Sequence, residues 1–327
     1  MALQTALTKM LNIEHPIMLA GMGGVSYAEV CAAMCNAGGY GVLGMAGTTP
    51  DFIEGQMKRV RELTDRPFGV DLLAASPESL EESVDVIINN GADSFIAGLG
   101  VPMPIMERLK KANVKVMVVG GAVKHAIKAE QAGCDAVILQ GSEGGGHTGL
   151  VGTMPLVAQA VEAVNIPVIA AGGIYDGRGL AAALSLGACG VWMGTRFIAS
   201  TEAHAAQMYK DTVVGAGDTD TTRTRCYSGK PMRCRTNDYI KDWEGRPEDI
   251  QPFPHQAIHS HQTGVIGGIG GITDEEKLNP DTSCFAMGQS AGGVKEVKPV
   301  AEIVGDIMRD AEAAIDRVSS LKAKATA

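Results

Sequence analysis

This sequence has few aromatic residues and nothing that resembles a membrane or secretion signal. Aromatic side chains make up only 4% of its 327 residues, which favours a core of aliphatic and methionine side chains. No uninterrupted apolar run reaches the roughly 20 residues that span a bilayer, and the first residues lack the apolar core of a signal peptide. The formal net charge of −9 disfavours nonspecific binding to nucleic acid. We expect a cytoplasmic protein with no membrane or nucleic-acid partner.

Cysteine and histidine do not occur in patterns that are typical of metal sites. The seven cysteines are scattered, odd in number and without a CxxC pair, which disfavours both a disulfide framework and structural zinc. Cys31 and Cys35 are spaced to share one helix face, as small core residues do. His255, His259 and His261 lie close together, but prolines flank them and neither glutamate nor cysteine accompanies them. We predict no metal site.

A short pattern recurs along the first 200 residues. In each copy a glycine stands where a helix should end in a left-handed cap, and a brief apolar run follows at once. These glycines are Gly38, Gly91, Gly133 and Gly187. The apolar runs do not alternate with polar residues, which is typical of strands buried on both faces. Alternation of helices with such strands requires a parallel sheet.

Eight such strands are predicted, within about 200 residues. They span roughly residues 16–20, 40–45, 68–73, 94–99, 114–119, 136–140, 167–171 and 190–194. Eight successive β/α units predict an α/β fold of the (β/α)8 TIM-barrel type. The alternative is an open, doubly wound sheet, because spacing alone does not prove closure. Residues 3–11 are expected to plug the bottom of the barrel.

The alternation of predicted strands and helices ends after residue 200. Residues 201–298 are irregular, polar and rich in Gly, Pro, Arg and His, and they are too long for a structureless loop. Residues 299–324 return to the pattern of an amphipathic helix. We therefore predict a barrel over residues 1–200, an insertion over residues 201–298 that covers the barrel mouth as a lid, and a final segment, residues 299–327, that packs on the barrel.

The loop after the sixth predicted strand, residues 140–149, reads QGSEGGGHTG. Its glycines let the backbone approach a ligand closely, and His147 is its single titratable imidazole. The alternative interpretation is a surface turn with an incidental histidine. Because such a loop is costly to order and loops often carry function, we favour a catalytic role for His147.

Glycine-rich turns also follow the seventh and eighth predicted strands. In barrels of this type, these two loops commonly bind a phosphate through backbone N–H groups. Gly172, Gly173, Gly194 and Thr195 are suitable for that role, although two tight structural turns would look similar. The sequence contains neither a P-loop nor a GxGxxG turn that opens a helix after a strand. After the first strand, residues 20–24 (AGMGG) suit either a flat heteroaromatic ring or simple core packing.

A basic strip, residues 222–237, stands out in this acidic protein. It contains Arg223, Arg225, Lys230, Arg233 and Arg235. One interpretation is a solvated charged face. The other is a docking surface for an anionic substrate, such as the phosphates of coenzyme A or NAD(P)H. The sequence leaves both interpretations open.

Taken together, these stretches resemble the flavin-dependent nitronate monooxygenase (formerly 2-nitropropane dioxygenase) superfamily, which includes enoyl-ACP reductase II enzymes. The similarity extends from about His15 to Phe197 and is weaker beyond. The residues that carry it are HPIM from His15, AGM from Ala20, NAGG from Asn36, PFGV from Pro67, QGSEGGGH from Gln140, AAGGI from Ala170, DGRG from Asp176, MGTRF from Met193 and GQSAG from Gly288.

The resemblance implies a barrel that binds FMN noncovalently at its mouth. It places the FMN phosphate on Gly172, Gly173, Gly194 and Thr195. It places Ala20, Gly21 and Met22 beside the ring, with Gln140 and Gly141 beneath it and Asp71, Gly145 and Gly146 among the other cofactor-binding residues. His147 corresponds to the catalytic histidine of the family.

Two positions depart from the nitronate monooxygenase pattern. Asp71 stands where many members have asparagine, and a carboxylate there would disfavour an anionic reduced flavin unless it is protonated or paired. Val119 stands where some members carry lysine, as an apolar residue does in the enoyl reductases.

Several reactions are compatible with these residues. The leading hypothesis is a nitronate monooxygenase, an enzyme that oxidises alkyl nitronates with O2. The alternatives are an NAD(P)H-dependent enoyl-thioester reductase, with an ACP or CoA substrate, and an NAD(P)H:quinone reductase. A barrel that only stores flavin is disfavoured because storage does not need His147. A homodimer is a further hypothesis.

Overall fold

The computed structural model describes residues 3–74 and 77–321. Its centre is an eight-stranded parallel sheet in the spatial order β1-β9-β8-β6-β5-β4-β3-β2. The strands are β1 (Ile17–Leu19), β2 (Gly41–Gly44), β3 (Phe68–Leu73), β4 (Ser94–Gly98), β5 (Lys115–Gly120), β6 (Ala136–Gln140), β8 (Val168–Ala171) and β9 (Gly190–Met193). All eight predicted strands are present. The short strand β7 (Gly146–His147) belongs to a second sheet.

The first and second strands close the sheet into a barrel. Tyr40, just before β2, donates its N–H to the Ile17 carbonyl at 2.9 Å, and Leu19 donates to the Tyr40 carbonyl at 2.9 Å. Met18 and Tyr40 form a parallel bridge. These bonds join the two edges of the sheet, so the predicted TIM barrel is confirmed and the open sheet is wrong.

Helices surround the barrel in alternation with its strands. They are α2 (Ala28–Asn36), α3 (Pro50–Leu63), α4 (Pro77–Asn89), α5 (Met106–Lys111), α6 (Val123–Gln131), α7 (Thr153–Ala163), α8 (Gly177–Ser185) and the short α9 (Thr195–Ile198). A 3-10 turn, Met103–Ile105, precedes α5. The four glycines that the repeat predicted at helix ends all have φ between 69° and 93°, the left-handed conformation that glycine adopts most readily.

The barrel interior is filled by side chains and closed at the bottom. Met18, Ile96 and Ile169 belong to one buried cluster in the interior. Helix α1 (Ala6–Leu11) precedes β1 and adds Leu7 and Leu11 to this cluster. The N-terminal segment is therefore the predicted plug at the end of the barrel opposite its mouth.

The chain after the barrel builds a small second sheet and several short helices. These are α10 (Gln207–Val214), β10 (Thr221–Thr224), β11 (Met232–Arg235), α11 (Asp238–Glu244) and α12 (His255–Gln262), with 3-10 turns at Pro247–Asp249, Gly267–Gly270, Glu275–Lys277 and Gln289–Gly293. Strands β10 and β11 pair antiparallel, and β11 pairs with β7. This segment therefore contacts the loop that carries His147.

The last helix, α13 (Val300–Ser320), packs on the outside of the barrel. Its residues Ile303, Ile307 and Ala311 belong to the cluster beneath the barrel helices, and α13 lies against α8 and α2. The prediction that this helix reaches residue 324 extends outside the described residues. The division of the chain at residues 200 and 298 stays a prediction. Within residues 3–74 and 77–321, no helix is both long and apolar enough to cross a membrane.

Candidate functional site

The loop that follows β6 is fixed by a side chain from the end of that strand. The Gln140 amide nitrogen donates to the Gly145 carbonyl at 3.0 Å and to the His147 carbonyl at 3.0 Å. Both amide hydrogens are thereby used. Gln140 thus holds the loop in a defined path at the mouth of the barrel, and the amide oxygen keeps its capacity as an acceptor.

Pairing with the C-terminal segment fixes the position of His147. In strand β7, His147 pairs with Met232 and Gly146 pairs with Arg233. Next to this pair, a Cβ on Gly145 would lie 2.7 Å from the carbonyl carbon of Met287. Only glycine permits such a close approach of two backbones. The predicted catalytic loop therefore lies between the barrel and the segment that follows it.

The His147 ring is hydrogen-bonded to a serine that sequence analysis did not identify. Its Nε2 lies 2.8 Å from Ser228 Oγ. Ser228 Oγ also lies 3.2 Å from the Lys230 carbonyl and accepts the Lys230 N–H at 3.3 Å. All these groups are satisfied when His147 Nε2–H donates to Ser228 and the Ser228 hydroxyl donates to the Lys230 carbonyl. In this tautomer, Nδ1 carries the free lone pair.

The environment of His147 favours its neutral form. Burial lowers the pKa of His147, and the positive charge of Lys230 lowers this pKa further. Both effects disfavour the imidazolium ion. His147 is therefore a neutral imidazole near pH 7, which is the form that accepts a proton from a substrate.

The two predicted phosphate loops are adjacent in the structure. Strands β8 and β9 pair directly, so their carboxyl ends present Gly172, Gly173 and Gly194 side by side. Within the described part of the chain, the N–H groups of Gly172 and Gly173 have no hydrogen-bond acceptor. Thr195 begins α9, and its Oγ1 accepts the Gly288 N–H at 2.9 Å. The loops therefore offer unpaired backbone donors, which is what an anion requires.

The loop after β1 forms another part of the mouth. Ser26 Oγ accepts the Met22 N–H and donates to the Ala20 carbonyl at 3.0 Å, which holds the loop in a tight turn. Gly44 permits this path, because a Cβ there would lie 2.5 Å from the Met22 backbone. A Cβ on Gly194 would lie 3.1 Å from Met22 Sδ. Met22 therefore lies beside the loop that follows β9.

Asp71 points into the same region from β3. Its carboxyl group lies against Gly21, where an added Cβ would collide with it. Among the described residues, none forms a hydrogen bond or ion pair with this carboxyl group. Burial raises the pKa of Asp71 well above its usual range, because desolvation favours the neutral form of a carboxyl group. Val119 packs against the interior cluster from β5.

The basic strip divides into two kinds of residue. Arg233 donates to the Ser142 and Thr221 carbonyls, and Arg235 forms an ion pair with Asp220 at 3.1 Å. These two arginines are therefore occupied in holding the small sheet. The remaining cations of the strip are Arg223, Arg225 and Lys230, and in the described part of the protein none of them has a carboxylate partner.

Two residues of this site had no clear signal in the sequence. Ser228 lies inside the basic strip, 81 positions from its partner His147. Glu143 accepts the Thr153 N–H at 2.9 Å and the Thr153 hydroxyl at 3.1 Å, which anchors the start of α7 to the glycine-rich loop. The Ser228 contact joins segments distant in the chain, and the Glu143 contact spans ten residues across an irregular loop, so a periodic pattern reveals neither.

The histidine cluster lies on α12. His255, His259 and His261 are all exposed. In the portion of the chain covered by residues 3–74 and 77–321, no three metal-binding side chains are grouped in a way that could hold an ion.

The mouth of the barrel thus combines unpaired backbone donors, a neutral imidazole and a carboxyl group whose pKa is raised by burial. A family model described as nitronate monooxygenase matches residues 4–85 and 79–310. A (3aS,4S,5R,7aS)-5-hydroxy-7a-methyl-1-oxo-octahydro-1H-indene-4-carboxyl-CoA dehydrogenase from Rhodococcus jostii is 41% identical and covers 98% of this chain and 99% of its own.

Other relatives agree on the family. A probable nitronate monooxygenase from Staphylococcus saprophyticus is 36% identical over 78% of this chain and 85% of its own. The solved structure of FabK from Thermotoga maritima has a TM-score of 0.89 and 35% identity, and it covers 98% of this chain and 100% of its own. These matches extend well beyond one motif. The chain belongs to the nitronate monooxygenase family and is an FMN-dependent oxidoreductase.

Proposed function

We propose that this enzyme catalyses oxidation or reduction at the carbons next to a coenzyme A thioester, with NAD(P)H or NAD(P)+ as the second substrate. The observation that carries the proposal is the similarity over the whole chain, at 41% identity, to a dehydrogenase whose substrate is a carboxyl-CoA. The relative named as a nitronate monooxygenase is less similar and matches less of this chain. Val119 supports the proposal because an apolar side chain at this position resembles the enoyl reductases.

The residues at the barrel mouth fit FMN. The phosphate would lie against the unpaired N–H groups of Gly172 and Gly173 and the start of α9. The ring would lie between the turn after β1 and the loop after β6. The full set that we propose to hold FMN is Ala20, Gly21, Met22, Asp71, Gln140, Gly145, Gly146, Gly172, Gly173, Gly194 and Thr195.

His147 would supply proton transfer. The proton on the carbon α to a thioester is acidic, and a neutral imidazole with a free Nδ1 suits its removal. In a dehydrogenation, the α-proton moves to His147 Nδ1 and a hydride leaves the β-carbon. FMN, when bound, supplies the hydride acceptor, and NAD(P)+ would take the two electrons in the second half-reaction. In the reductive direction each transfer is reversed.

Ser228 would act as a positioning residue for this step. Its bond to Nε2 at 2.8 Å fixes the imidazole ring and selects the tautomer with a free Nδ1. After His147 has taken a proton, the same bond continues, because Nε2 remains a donor in imidazolium. The ring therefore changes its charge without changing this contact.

Asp71 would serve the cofactor as a neutral group. A protonated carboxyl group donates one hydrogen bond and adds no negative charge. It therefore permits the accumulation of negative charge in the reduced ring, which an ionised carboxylate would oppose. This accounts for an acid where many relatives have an asparagine, since both side chains offer a hydrogen-bond donor.

Anaerobic stopped-flow absorbance of the FMN-loaded enzyme would test the reaction. The enzyme is mixed separately with NADH, NADPH, crotonyl-CoA, butyryl-CoA and propyl-2-nitronate. We expect bleaching of the flavin by a nicotinamide and re-oxidation of the bleached enzyme by the enoyl-CoA. Bleaching by the nitronate, with no response to either nicotinamide, would contradict the proposal.

That last outcome would support nitronate oxidation, which is the second candidate. It is favoured by the family model, which matches most of the chain under the nitronate monooxygenase description. In that case His147 would act as base toward a neutral nitroalkane, and the protonated ring would pair with the nitronate anion.

A further inference from the structure

An apolar patch is exposed on the rim of the barrel mouth beside the catalytic loop. Leu150 follows this loop and is 75% exposed, and Met154 in the first turn of α7 is 62% exposed. Large apolar side chains that are left open next to a candidate active site often mark the surface on which a ligand lies. These two residues are close in sequence to His147 but are not part of the proposed FMN site.

Arg223 reaches this patch from the small sheet. Its guanidinium donates to the Gly149 carbonyl at 3.3 Å, directly beside Leu150. Arg223 pairs with Arg233, and Arg233 pairs with Gly146. The Arg223 backbone therefore lies two strand spacings, about 10 Å, from strand β7. The guanidinium extends from there to the end of the loop that carries His147, where it could hold a distant part of the same substrate.

Helix α6 begins next to this loop and carries further cations. Gly149 packs against Gly121, where an added Cβ would collide with the backbone. The Gly121 N–H donates to His125 Nδ1 at 3.1 Å in the first turn of α6. Lys124 and Lys128 are exposed on the same helix, before and after His125.

The cations of this rim are unpaired in a protein that is acidic overall. Exposed arginines on the outer helices, such as Arg59 and Arg108, form ion pairs with carboxylates. Within the described residues, Arg223, Lys124 and Lys128 have none. Because the net charge is −9, carboxylates are plentiful and their absence here leaves a local positive field.

We propose that this rim binds the nucleotide portion of a coenzyme A substrate. Arg223, Lys124 and Lys128 would hold its phosphates, while Leu150 and Met154 contact the pantetheine arm that leads to the thioester beside His147. The inference rests on the proposed function and assigns to particular residues the recognition of the substrate's phosphates.

The same cations would also suit the 2′-phosphate of NADPH, so the source of the phosphate must be tested. We commit to coenzyme A because the patch combines cations with an apolar path that leads to the catalytic loop. Adenosine 3′,5′-bisphosphate represents the nucleotide of coenzyme A, and adenosine 2′,5′-bisphosphate represents that of NADPH. The two probes carry the same charge and differ only in the position of one phosphate.

The test is titration calorimetry of the FMN-loaded enzyme with coenzyme A and both bisphosphates. We compare the wild type with Arg223→Glu/Lys124→Glu and with Lys124→Glu/Lys128→Glu. The second of these double variants leaves the catalytic loop untouched. The control is Lys9→Glu/Lys110→Glu. It changes the charge equally at exposed positions on α1 and at the end of α5.

We expect both rim variants to weaken coenzyme A and adenosine 3′,5′-bisphosphate by tenfold or more, and the control to change them less than twofold. The KM for crotonyl-CoA should rise while kcat stays within twofold. Reduction of crotonyl-N-acetylcysteamine, which lacks the nucleotide, should be unchanged in Lys124→Glu/Lys128→Glu and in the control.

Unchanged affinity for coenzyme A in both rim variants would overturn the inference. So would a loss confined to NADPH and adenosine 2′,5′-bisphosphate. If coenzyme A binding is lost in the rim variants as expected but neither crotonyl thioester is turned over, the docking surface stands and the proposed reaction fails.

Discussion

At the scale of single residues, the site depends on two side chains whose charge is set by burial. Burial lowers the pKa of His147 and raises that of Asp71, so it favours the neutral form of both side chains. A neutral imidazole accepts a proton, and a neutral carboxyl group donates a hydrogen bond. The chemistry therefore follows from desolvation rather than from an ion pair.

The pH dependence of the reaction should report the state of His147. Its pKa is lowered by burial and by Lys230, so kcat/KM in the dehydrogenation direction should fall only as the pH drops below about 6.5. Lys230→Met removes the nearby positive charge, so the imidazolium becomes easier to form and the acidic limb should move to higher pH. Lys9→Met is the control. His147→Ala should lower kcat by roughly 10² to 10⁴-fold.

If the acidic limb of the pH profile does not move in Lys230→Met, Lys230 does not act on the titrating group. Full activity in His147→Ala would remove His147 from the mechanism. FMN content, measured by absorbance, should be the same in all these proteins.

Asp71→Asn should change the stability of the protein in a pH-dependent way. Burial raises the pKa of folded Asp71, so its favourable neutral form is fully present below the pKa of the unfolded chain and is lost as pH rises through the folded pKa. Asparagine does not titrate. The variant should therefore gain stability relative to the wild type, on the order of 1 kcal/mol, as the pH rises above the pKa of an unfolded aspartate.

Urea unfolding at a series of pH values measures this difference. Asp316→Asn, at an exposed position on the last helix, changes the net charge equally and should show no such trend. A difference between Asp71→Asn and the wild type that is constant with pH would mean that Asp71 is ionised in the folded protein.

At the scale of elements, the site depends on loops that pass within backbone contact of one another. Gly145 lies against Met287 and Gly288, and β7 pairs with β11. The segment after the barrel is thus joined to the catalytic loop by both packing and hydrogen bonds. We expect a change in this contact to disturb the cofactor site before it disturbs the barrel.

Gly145→Ala should show this dependence. The added Cβ would lie 2.7 Å from the Met287 carbonyl carbon and 2.8 Å from the Gly288 nitrogen, so a backbone must move. We expect FMN to bind at least tenfold more weakly and the free energy of unfolding to fall by about 1–3 kcal/mol. FMN fluorescence titration and urea unfolding measure the two quantities.

Gly305→Ala is the matched control. Its Cβ would meet no atom within 4 Å, and Gly305 is exposed within α13. The change should therefore be neutral or stabilising, because alanine favours helix. Equal effects of the two substitutions would argue against the proposed contact.

At the scale of the whole molecule, one end of the barrel is closed by packed side chains and the other end carries the loops of the proposed site. Leu7 and Leu11 close the bottom as part of the interior cluster. The loop proposed to be catalytic and the loops proposed to bind phosphate lie at the carboxyl ends of the strands. This division separates the residues that stabilise the fold from those proposed to perform the chemistry.

Leu7→Ala should therefore affect stability without affecting the site. Leu7 is fully buried, and its truncation leaves a cavity that costs about 2–5 kcal/mol. Urea unfolding should show this loss, while the FMN dissociation constant stays within twofold. Leu321→Ala, at a position 71% exposed, should change stability by no more than about 0.5 kcal/mol. A comparable loss of FMN affinity in Leu7→Ala would contradict the division.

The sequence alone determined the order and number of the barrel strands and the loops that carry the site. Short non-alternating apolar runs and helix-ending glycines such as Gly38 and Gly187 are local signals, because burial on both faces and positive φ constrain each residue independently of distant partners. Gly172 and Gly173 also have positive φ, while their contact with a phosphate stays a prediction.

Tertiary structure decided what depends on residues far apart in the chain. Closure of the barrel depends on Tyr40 bonding to Ile17 and Leu19, and the tautomer of His147 depends on Ser228, 81 residues away. The division of the basic strip into structural Arg233 and unpaired Arg223 depends on which carbonyls each one reaches. Hydrogen bonds and desolvation act over a few ångströms in space, so a linear pattern carries no record of them.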